Sequence, residues 1–128
     1  MLFDAVKQTD KPAVIDDYQI RYPTLVDDVA AVCKFIAEKH VNDHTMTGIW
    51  HWSGIEAMSK YSMACQMAES FNLPISHLTP NPNPPTGTPR PHNTALECSK
   101  LEAMMQDSGT SMRTPFKQGM TRCLQPFV

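Results

Sequence analysis

Residues 48–74 read GIWHWSGIEAMSKYSMACQMAESFNLP and carry the signals that decide the fold. Within residues 49–52, two tryptophans alternate with isoleucine and histidine, as side chains alternate between the two faces of a strand. A Ser-Gly pair interrupts this strand, and Ser59 is then placed to cap a helix that Pro74 closes. The apolar side chains of that helix recur at helical spacing: Tyr61, Ala64, Cys65, Ala68 and Phe71. The segment therefore predicts an aromatic strand that passes directly into an amphipathic helix.

The stretch RYPTLVDDVAAVCKFIAEKH, residues 21–40, predicts a second amphipathic helix. Thr24 can cap it, with Asp27 three residues later in the capping-box position. Its apolar stripe comprises Val26, Val29, Ala30, Cys33, Ile36 and Ala37. The opposite face carries Asp27, Asp28, Ala31, Lys34 and Glu38. We expect the apolar stripe to lie on another apolar surface.

The remaining segments predict short elements. Residues 1–11 resemble the end of a helix, and residues 13–15 a brief strand. Residues 79–92 hold six of the eleven prolines and predict an extended surface loop, because proline disfavours helices and central strands. This loop is either a rigid connector or a ligand for an SH3-type domain. Two short helices should follow, with Ser99 and Thr114 as their caps.

Length and composition limit the class of protein. A chain of 128 residues is about one domain, and its net charge of -2 disfavours nucleic acid and anionic membranes as partners. No run approaches the ~20 apolar residues of a membrane span, and the N-terminus does not read as a signal peptide. Four widely spaced cysteines predict reduced, buried thiols and a cytoplasmic protein.

Motifs for catalysis and for cofactors are missing from the sequence. The five glycines form neither a GxGxxG nor a P-loop motif, no Tyr-x-x-x-Lys pair occurs, and no G-x-S-x-G elbow is present. His40 and His44 have metal-ligand spacing but no third ligand at a suitable distance along the chain. We therefore expect no catalytic, cofactor-binding or metal-ligating residue in this chain. Arg21 and Arg90 are either clamps for phosphate or carboxylate, or arginines that anchor a loop.

The predicted elements contain too few strands to form a sheet that could cover both amphipathic helices. The sequence predicts an α/β protein of mostly helices with a few short strands. Residues 1–128 are then one portion of a larger fold, whose main sheet lies outside this chain.

Four blocks of the sequence resemble a known family in order and spacing: residues 21–39, residues 48–74, RPHNTALECSKLE and RTPFKQGM. They are similar to the C-terminal part of extended short-chain dehydrogenases/reductases, in the dTDP-4-dehydrorhamnose reductase branch. Within that branch they most resemble the regulatory beta subunits of methionine adenosyltransferase. The shared details include HWSG, CSKLE and RTPF.

The resemblance implies the substrate-side portion of a Rossmann-type fold without its N-terminal dinucleotide-binding sheet. It implies a non-catalytic regulatory subunit that binds the catalytic subunit and tunes S-adenosylmethionine synthesis from methionine and ATP. NADP would be held by the N-terminal domain of the full-length family and not by this chain alone. The resemblance also implies that Arg21 lines the cleft beside the cofactor and that Arg90 approaches a diphosphate.

Two features of the sequence depart from the resembled family. The NADP-binding residues do not occur in this chain. The basic and aromatic tail that follows Pro-Phe in the beta subunits does not occur either, and that tail enters the catalytic partner. The chain is then a truncated gene product, a short isoform or a fragment. The alternative function is the substrate-binding half of an NADPH-dependent dTDP-sugar reductase.

The sequence predicts marginal stability, because two amphipathic helices lack the sheet that would cover them. We expect purified residues 1–128 to unfold over a broad temperature range when followed by circular dichroism. A sharp, cooperative melt of the monomer would contradict this prediction.

Overall fold

The computed structural model describes residues 1–107 and 113–128. Its elements in chain order are α1 (Leu2–Lys7), β1 (Ala13–Asp16), α2 (Val26–Asn42), α3 (Lys60–Ser70), β2 (Leu78–Asn81), α4 (Ser99–Asp107) and α5 (Phe116–Leu124), and a 3₁₀ turn follows at Gln125–Phe127. The predicted class is confirmed: an α/β chain of mostly helices with a few short strands. Within the described ranges, none of the helices has the length and apolar character that crossing a bilayer requires.

The two strands pair in parallel, with Ala13 opposite Leu78 and Asp16 opposite Asn81. The predicted strand at residues 13–15 is thus confirmed. The predicted loop at 79–92 is wrong at its start, because residues 79–81 belong to β2. Pro80 is tolerated there because β1 is the one neighbour of β2 in the described sheet. A proline on such an edge strand has no second strand to which its missing N–H would have to donate a hydrogen bond.

A first hydrophobic core joins the sheet to α1, α3 and α5. α1 contributes Phe3 and Val6, and α3 contributes Ala64, Met67 and Ala68. Tyr61 and Phe71, both half-buried, pack against this cluster. The apolar face predicted for α3 therefore faces this core, although Met67 was missing from the prediction.

A second core lies between α2 and α4, and it corrects the predicted face of α2. The buried residues of α2 are Val32 and Phe35, which pack with Leu101, Met105 and Met46. Of the predicted stripe, Ile36 packs against this core, and the other five residues face outward: Val26 is 77% exposed, Val29 is 41% exposed, and Ala30, Cys33 and Ala37 are exposed. The helix carries two apolar faces, and Phe35, the larger side chain, determines which of them is buried.

Residues 49–52 do not form the predicted sheet strand, because no other segment of the described chain pairs with their backbone. The predicted alternation of side chains is nevertheless present. Trp50 and Trp52 are half-buried against the second core, whereas Ile49 is 82% exposed and His51 is exposed. The local pattern predicts the side-chain faces, but a strand also needs a neighbouring strand.

One of the four predicted helix caps is confirmed. The Ser59 hydroxyl accepts a hydrogen bond from the Ser62 amide at 3.0 Å and so caps α3. Ser99 is the first residue of α4, and Glu97 accepts its amide hydrogen bond. Thr24 and Thr114 bind other segments, so α2 and α5 have no side-chain cap from their own N-cap residues.

The burial predicted for the cysteines is partly wrong. All four are free thiols, but Cys33 and Cys123 are exposed, and Cys65 is half-buried. Cys33 is exposed because α2 turns its other apolar face to the second core.

Ser59 and Ser99 provide a matched pair for testing the cap of α3. Ser59→Ala removes the hydroxyl that caps α3 and also donates to Asp17, so we expect the free energy of unfolding to fall by about 1–2 kcal/mol. Ser99→Ala should change it by less than about 0.5 kcal/mol, because Ser99 is exposed and its backbone amide, which the substitution keeps, still donates to Glu97 at 2.8 Å. Urea denaturation measures both values, and equal losses would refute the cap assignment.

Candidate functional site

Arg113 holds three separate segments together. Its Nε donates to the Ser53 carbonyl at 2.9 Å, and its Nη2 pairs with Glu102 Oε1 at 2.6 Å. The guanidinium carbon lies 4.0 Å from the centroid of the Trp52 ring. Since hydrogen bonds from an ionised group are stronger than neutral ones, these contacts fix the turn that follows the tryptophans against α4.

The Ser53-Gly54 turn is fastened on its other side by the segment that precedes α2. The Gly54 amide donates to Thr24 Oγ1 at 2.9 Å, which explains why Thr24 does not cap α2. A Cβ at position 54 would overlap the backbone carbonyl oxygen of Pro23. Glycine is therefore required here by close backbone approach.

Two clefts adjoin this turn and share Gly54, Ile55 and Arg113. The first has a volume of about 240 Å³ and lies between the start of α2 and residues 113–115. The second has a volume of about 220 Å³ and lies beside the start of α4. The Arg113 side chain forms part of the wall of both.

Two carboxylates in the first cleft hold the start of α5. Asp28 accepts hydrogen bonds from the Thr114 amide at 2.6 Å and from its hydroxyl at 2.8 Å. Glu56 Oε2 accepts from the Phe116 amide at 2.6 Å. Negative charge at this position complements the positive end of the helix dipole, so these acids replace the predicted Thr114 cap.

The second cleft has both polar and apolar residues in its lining. Cys98 is one of them and is buried, with its Sγ 3.7 Å from the Ser53 hydroxyl. Hydrogen bonds from the side chain and backbone amide of Ser99 lower the pKa of the Glu97 carboxyl. Glu97 therefore stays charged to lower pH than an ordinary glutamate.

The two predicted ligand-pocket arginines lie outside both clefts, at the end of the proline-rich loop. Arg21 Nη1 donates to the Ile20 carbonyl at 2.9 Å and to the Pro91 carbonyl at 3.1 Å, and its Nη2 bonds the Gln19 side chain. Arg90 is exposed and immediately precedes Pro91. The structure thus brings the two arginines to one loop end, where Arg21 anchors the loop.

The sequence interpretation missed Arg113, Asp28, Glu56 and Glu102. Asp28 lies on the face of α2 that the sequence predicts to be polar, and Glu102 belongs to the CSKLE block. The one available signal was the RTPF block, which contains Arg113. His40 and His44, the candidate metal ligands, have ring centroids 5.5 Å apart, and the described residues contain no group of three potential ligands.

Comparison with known protein families matches residues 1–128 to the RmlD substrate binding domain. The chain belongs to this family. The predicted membership of the dTDP-4-dehydrorhamnose reductase branch is confirmed by this match.

Two proteins from other organisms show a high sequence similarity to this chain. It is similar to methionine adenosyltransferase 2 subunit beta of Xenopus tropicalis, with 49% identity over 129 residues, covering 100% of this chain and 37% of that protein. The subunit of the same name from Mus musculus is 47% identical over 129 residues, with the same coverage. The predicted likeness to these beta subunits is confirmed, and the chain spans 37% of their length.

Solved structures of two reductases share the fold. dTDP-4-dehydrorhamnose reductase from Yersinia enterocolitica superposes with a TM-score of 0.73 at 15% identity, covering 99% of this chain and 42% of that one. The Bacillus anthracis reductase, solved in complex with NADP, gives a TM-score of 0.70 at 16% identity, covering 95% and 41%. This chain therefore corresponds in fold to part of a Rossmann-type reductase.

Gly54 and Gly119 test the close packing of this site. Gly54→Ala should lower the free energy of unfolding by more than about 2 kcal/mol, because its Cβ meets rigid backbone. Gly119→Ala should be neutral or should stabilise the fold by up to about 1 kcal/mol. Gly119 lies within helix α5, where alanine is preferred to glycine, and its new Cβ would lie at an ordinary contact distance of 3.5 Å from Leu25 Cδ1. Chemical denaturation compares the two variants, and a neutral Gly54→Ala would exclude the described turn.

Proposed function

We propose that this chain acts within a non-catalytic regulatory subunit of methionine adenosyltransferase, which modulates S-adenosylmethionine synthesis from methionine and ATP. The observation that carries this proposal is the 43–50% identity to proteins named methionine adenosyltransferase 2 subunit beta, across 99–100% of this chain. Reductases of the same fold are only 15–16% identical.

The contacts at Arg113 support this reading. Three sequence details that the chain shares with the beta subunits, HWSG, CSKLE and RTPF, lie far apart in the chain. In the structure they meet: Arg113 bonds the Ser53 carbonyl and the Glu102 carboxylate. The three sequence blocks therefore form one structural feature, because their residues contact each other at the Arg113 junction.

We propose further that residues 1–128 are the substrate-side portion of an NAD(P)-binding fold and lie against a dinucleotide-binding sheet. Two surfaces favour this arrangement. The outer face of α2 exposes Val26 and Val29, and residues 49–52 alternate half-buried and exposed side chains without a paired strand in the described chain. A sheet beside them would bury the first surface and give the second its hydrogen-bonding neighbour.

In this arrangement NADP is held by that sheet, and Arg21 and Arg90 face the ligand cleft beside it. The partner is the catalytic subunit of methionine adenosyltransferase. We propose a cytoplasmic setting, which the four free thiols favour.

A chimera tests the proposed function. This chain would replace the matched 37% of the Xenopus tropicalis beta subunit. We expect the chimera to bind NADP, to co-purify with the catalytic subunit and to alter its rate of S-adenosylmethionine formation. In the same chimera, Arg90→Ala should weaken binding of a nucleoside diphosphate, whereas Arg122→Ala, which changes an exposed arginine paired with Asp27, should not.

A second chimera provides the control for partner binding. It receives the corresponding part of the Yersinia enterocolitica reductase, which shares the fold at 15% identity, and it should not bind the catalytic subunit. The proposal fails if the first chimera is folded and binds NADP but does not bind that subunit. Reduction of a dTDP-ketosugar by the same sample would then favour the alternative reductase function.

A further inference from the structure

Threonine followed by proline occurs three times in the chain, at Thr79, Thr88 and Thr114. Proline is the residue that has no amide N–H. A protein kinase whose active site offers no acceptor to the residue after the target hydroxyl therefore selects this dipeptide. The sequence alone does not distinguish the three threonines, but their surroundings in the structure do.

Two of the three threonines are held in place by the fold. The amide and the hydroxyl of Thr114 both donate to Asp28, and Thr114 is half-buried. Thr79 lies in β2, directly after Leu78, which is 5% exposed and belongs to the first hydrophobic core. A kinase must bind the target hydroxyl and the backbone on both sides of it. Either threonine would therefore first have to leave its place in the fold, and that local opening costs free energy.

Thr88 lies instead in the proline-rich arch, defined as residues 82–92, which is exposed at every position. Among the described residues, 84–90 make no hydrogen bond and no ion pair. The chain bends at residues 86–88, where Gly87 has a φ of +108°, and glycine also adopts an extended conformation without strain. Straightening this bend in the groove of a kinase therefore breaks none of the hydrogen bonds that the described residues make. It also removes no side chain from either hydrophobic core.

Both ends of the arch are attached to one short segment, residues 17–21. At the first end, the Asp17 amide donates to the Asn81 carbonyl at 2.8 Å. At the second, the Ile20 amide donates to the His92 carbonyl at 2.7 Å, and the Tyr18 ring stacks on His92 with centroids 4.2 Å apart. A change of conformation between these two ends leaves the attachments intact, so a kinase can bind the arch while the rest of the chain stays folded.

We propose that Thr88 is a phosphorylation site for a proline-directed Ser/Thr protein kinase. The Thr88 Oγ1 bonds to the γ-phosphorus of ATP while the bond from that phosphorus to the bridging oxygen of ADP breaks. The hydroxyl proton passes to the catalytic aspartate of the kinase, and ADP leaves. The phosphate brings about -1.5 to -2 charges at pH 7 to residues 82–89, which have no charged side chain of their own. Recognition of Thr88 requires neither Arg90 nor the proposed role in S-adenosylmethionine synthesis.

Phosphorylation of the folded 128-residue chain in vitro tests this proposal. The chain is incubated with ATP and purified kinases of the cyclin-dependent and mitogen-activated classes, with a reference peptide in the same tube to show that each kinase is active. Tandem mass spectrometry then locates the phosphate. We expect the rate at Thr88 to exceed the rates at Thr79 and Thr114 about tenfold or more, because those two threonines require local opening. Pro89→Ala should lower the rate at Thr88 by a similar factor, because it restores the amide N–H.

Thr86 provides the matched control, because it is exposed in the same bend but is followed by glycine. Thr88→Ala should abolish phosphorylation of the arch, whereas Thr86→Ala should change the rate at Thr88 by less than about twofold. Short peptides that contain Thr79 or Thr114 should be phosphorylated faster than the same threonines in the folded chain, because the peptides lack the contacts that hold them. The proposal is overturned if the active kinases leave Thr88 unmodified, if Thr79 or Thr114 reacts as fast as Thr88 in the folded chain, or if Pro89→Ala has no effect.

Discussion

The Arg113 side chain is the constraint on which the central part of the structure depends. One guanidinium satisfies the Ser53 carbonyl, balances the Glu102 carboxylate and covers the face of Trp52. It is 21% exposed, so loss of either polar contact would leave a charged group or a carbonyl partly removed from water. A lysine could not make the same set of contacts, because it lacks the planar fork that bonds two acceptors at once. The junction therefore requires arginine at this position.

The junction also explains how the side chains of residues 49–52 keep their alternating burial without a sheet. Trp52 lies beneath Arg113, and Trp50 lies beneath Lys100, whose Nζ is 4.0 Å from the ring centroid. Cation–π contacts and burial against the second core hold the two rings. Because Trp50 and Trp52 are both held on one side, the residues between and before them, His51 and Ile49, face the other side. Side-chain packing here replaces the ladder of hydrogen bonds that normally holds a strand.

The sequence predicted local patterns well and long-range choices poorly. The Ser59 cap depends on a near neighbour and is confirmed. The strand at residues 13–15 is confirmed too, although its partner, β2, lies far along the chain. The buried face of α2 was predicted wrongly, because both of its faces carry apolar side chains and their partners, Leu101 and Met105, lie about 70 residues away in sequence. Asp28 and Glu56 could not be recognised as the groups that hold α5, because their partners, Thr114 and Phe116, also lie far along the chain.

The exposed face of α2 has a consequence for how this chain associates. Val26 and Val29 remain in contact with water although α2 already buries Val32 and Phe35. Hydrophobic burial contributes in proportion to the apolar area removed from water. Covering a second face of α2 would therefore add stability, and the helix backbone would lose no further conformational entropy because it is already ordered. Residues 49–52 gain similarly, since Trp50 and Trp52 are already held in place before a strand pairs with the segment. A sheet that contacted both surfaces would therefore meet a largely preorganised partner.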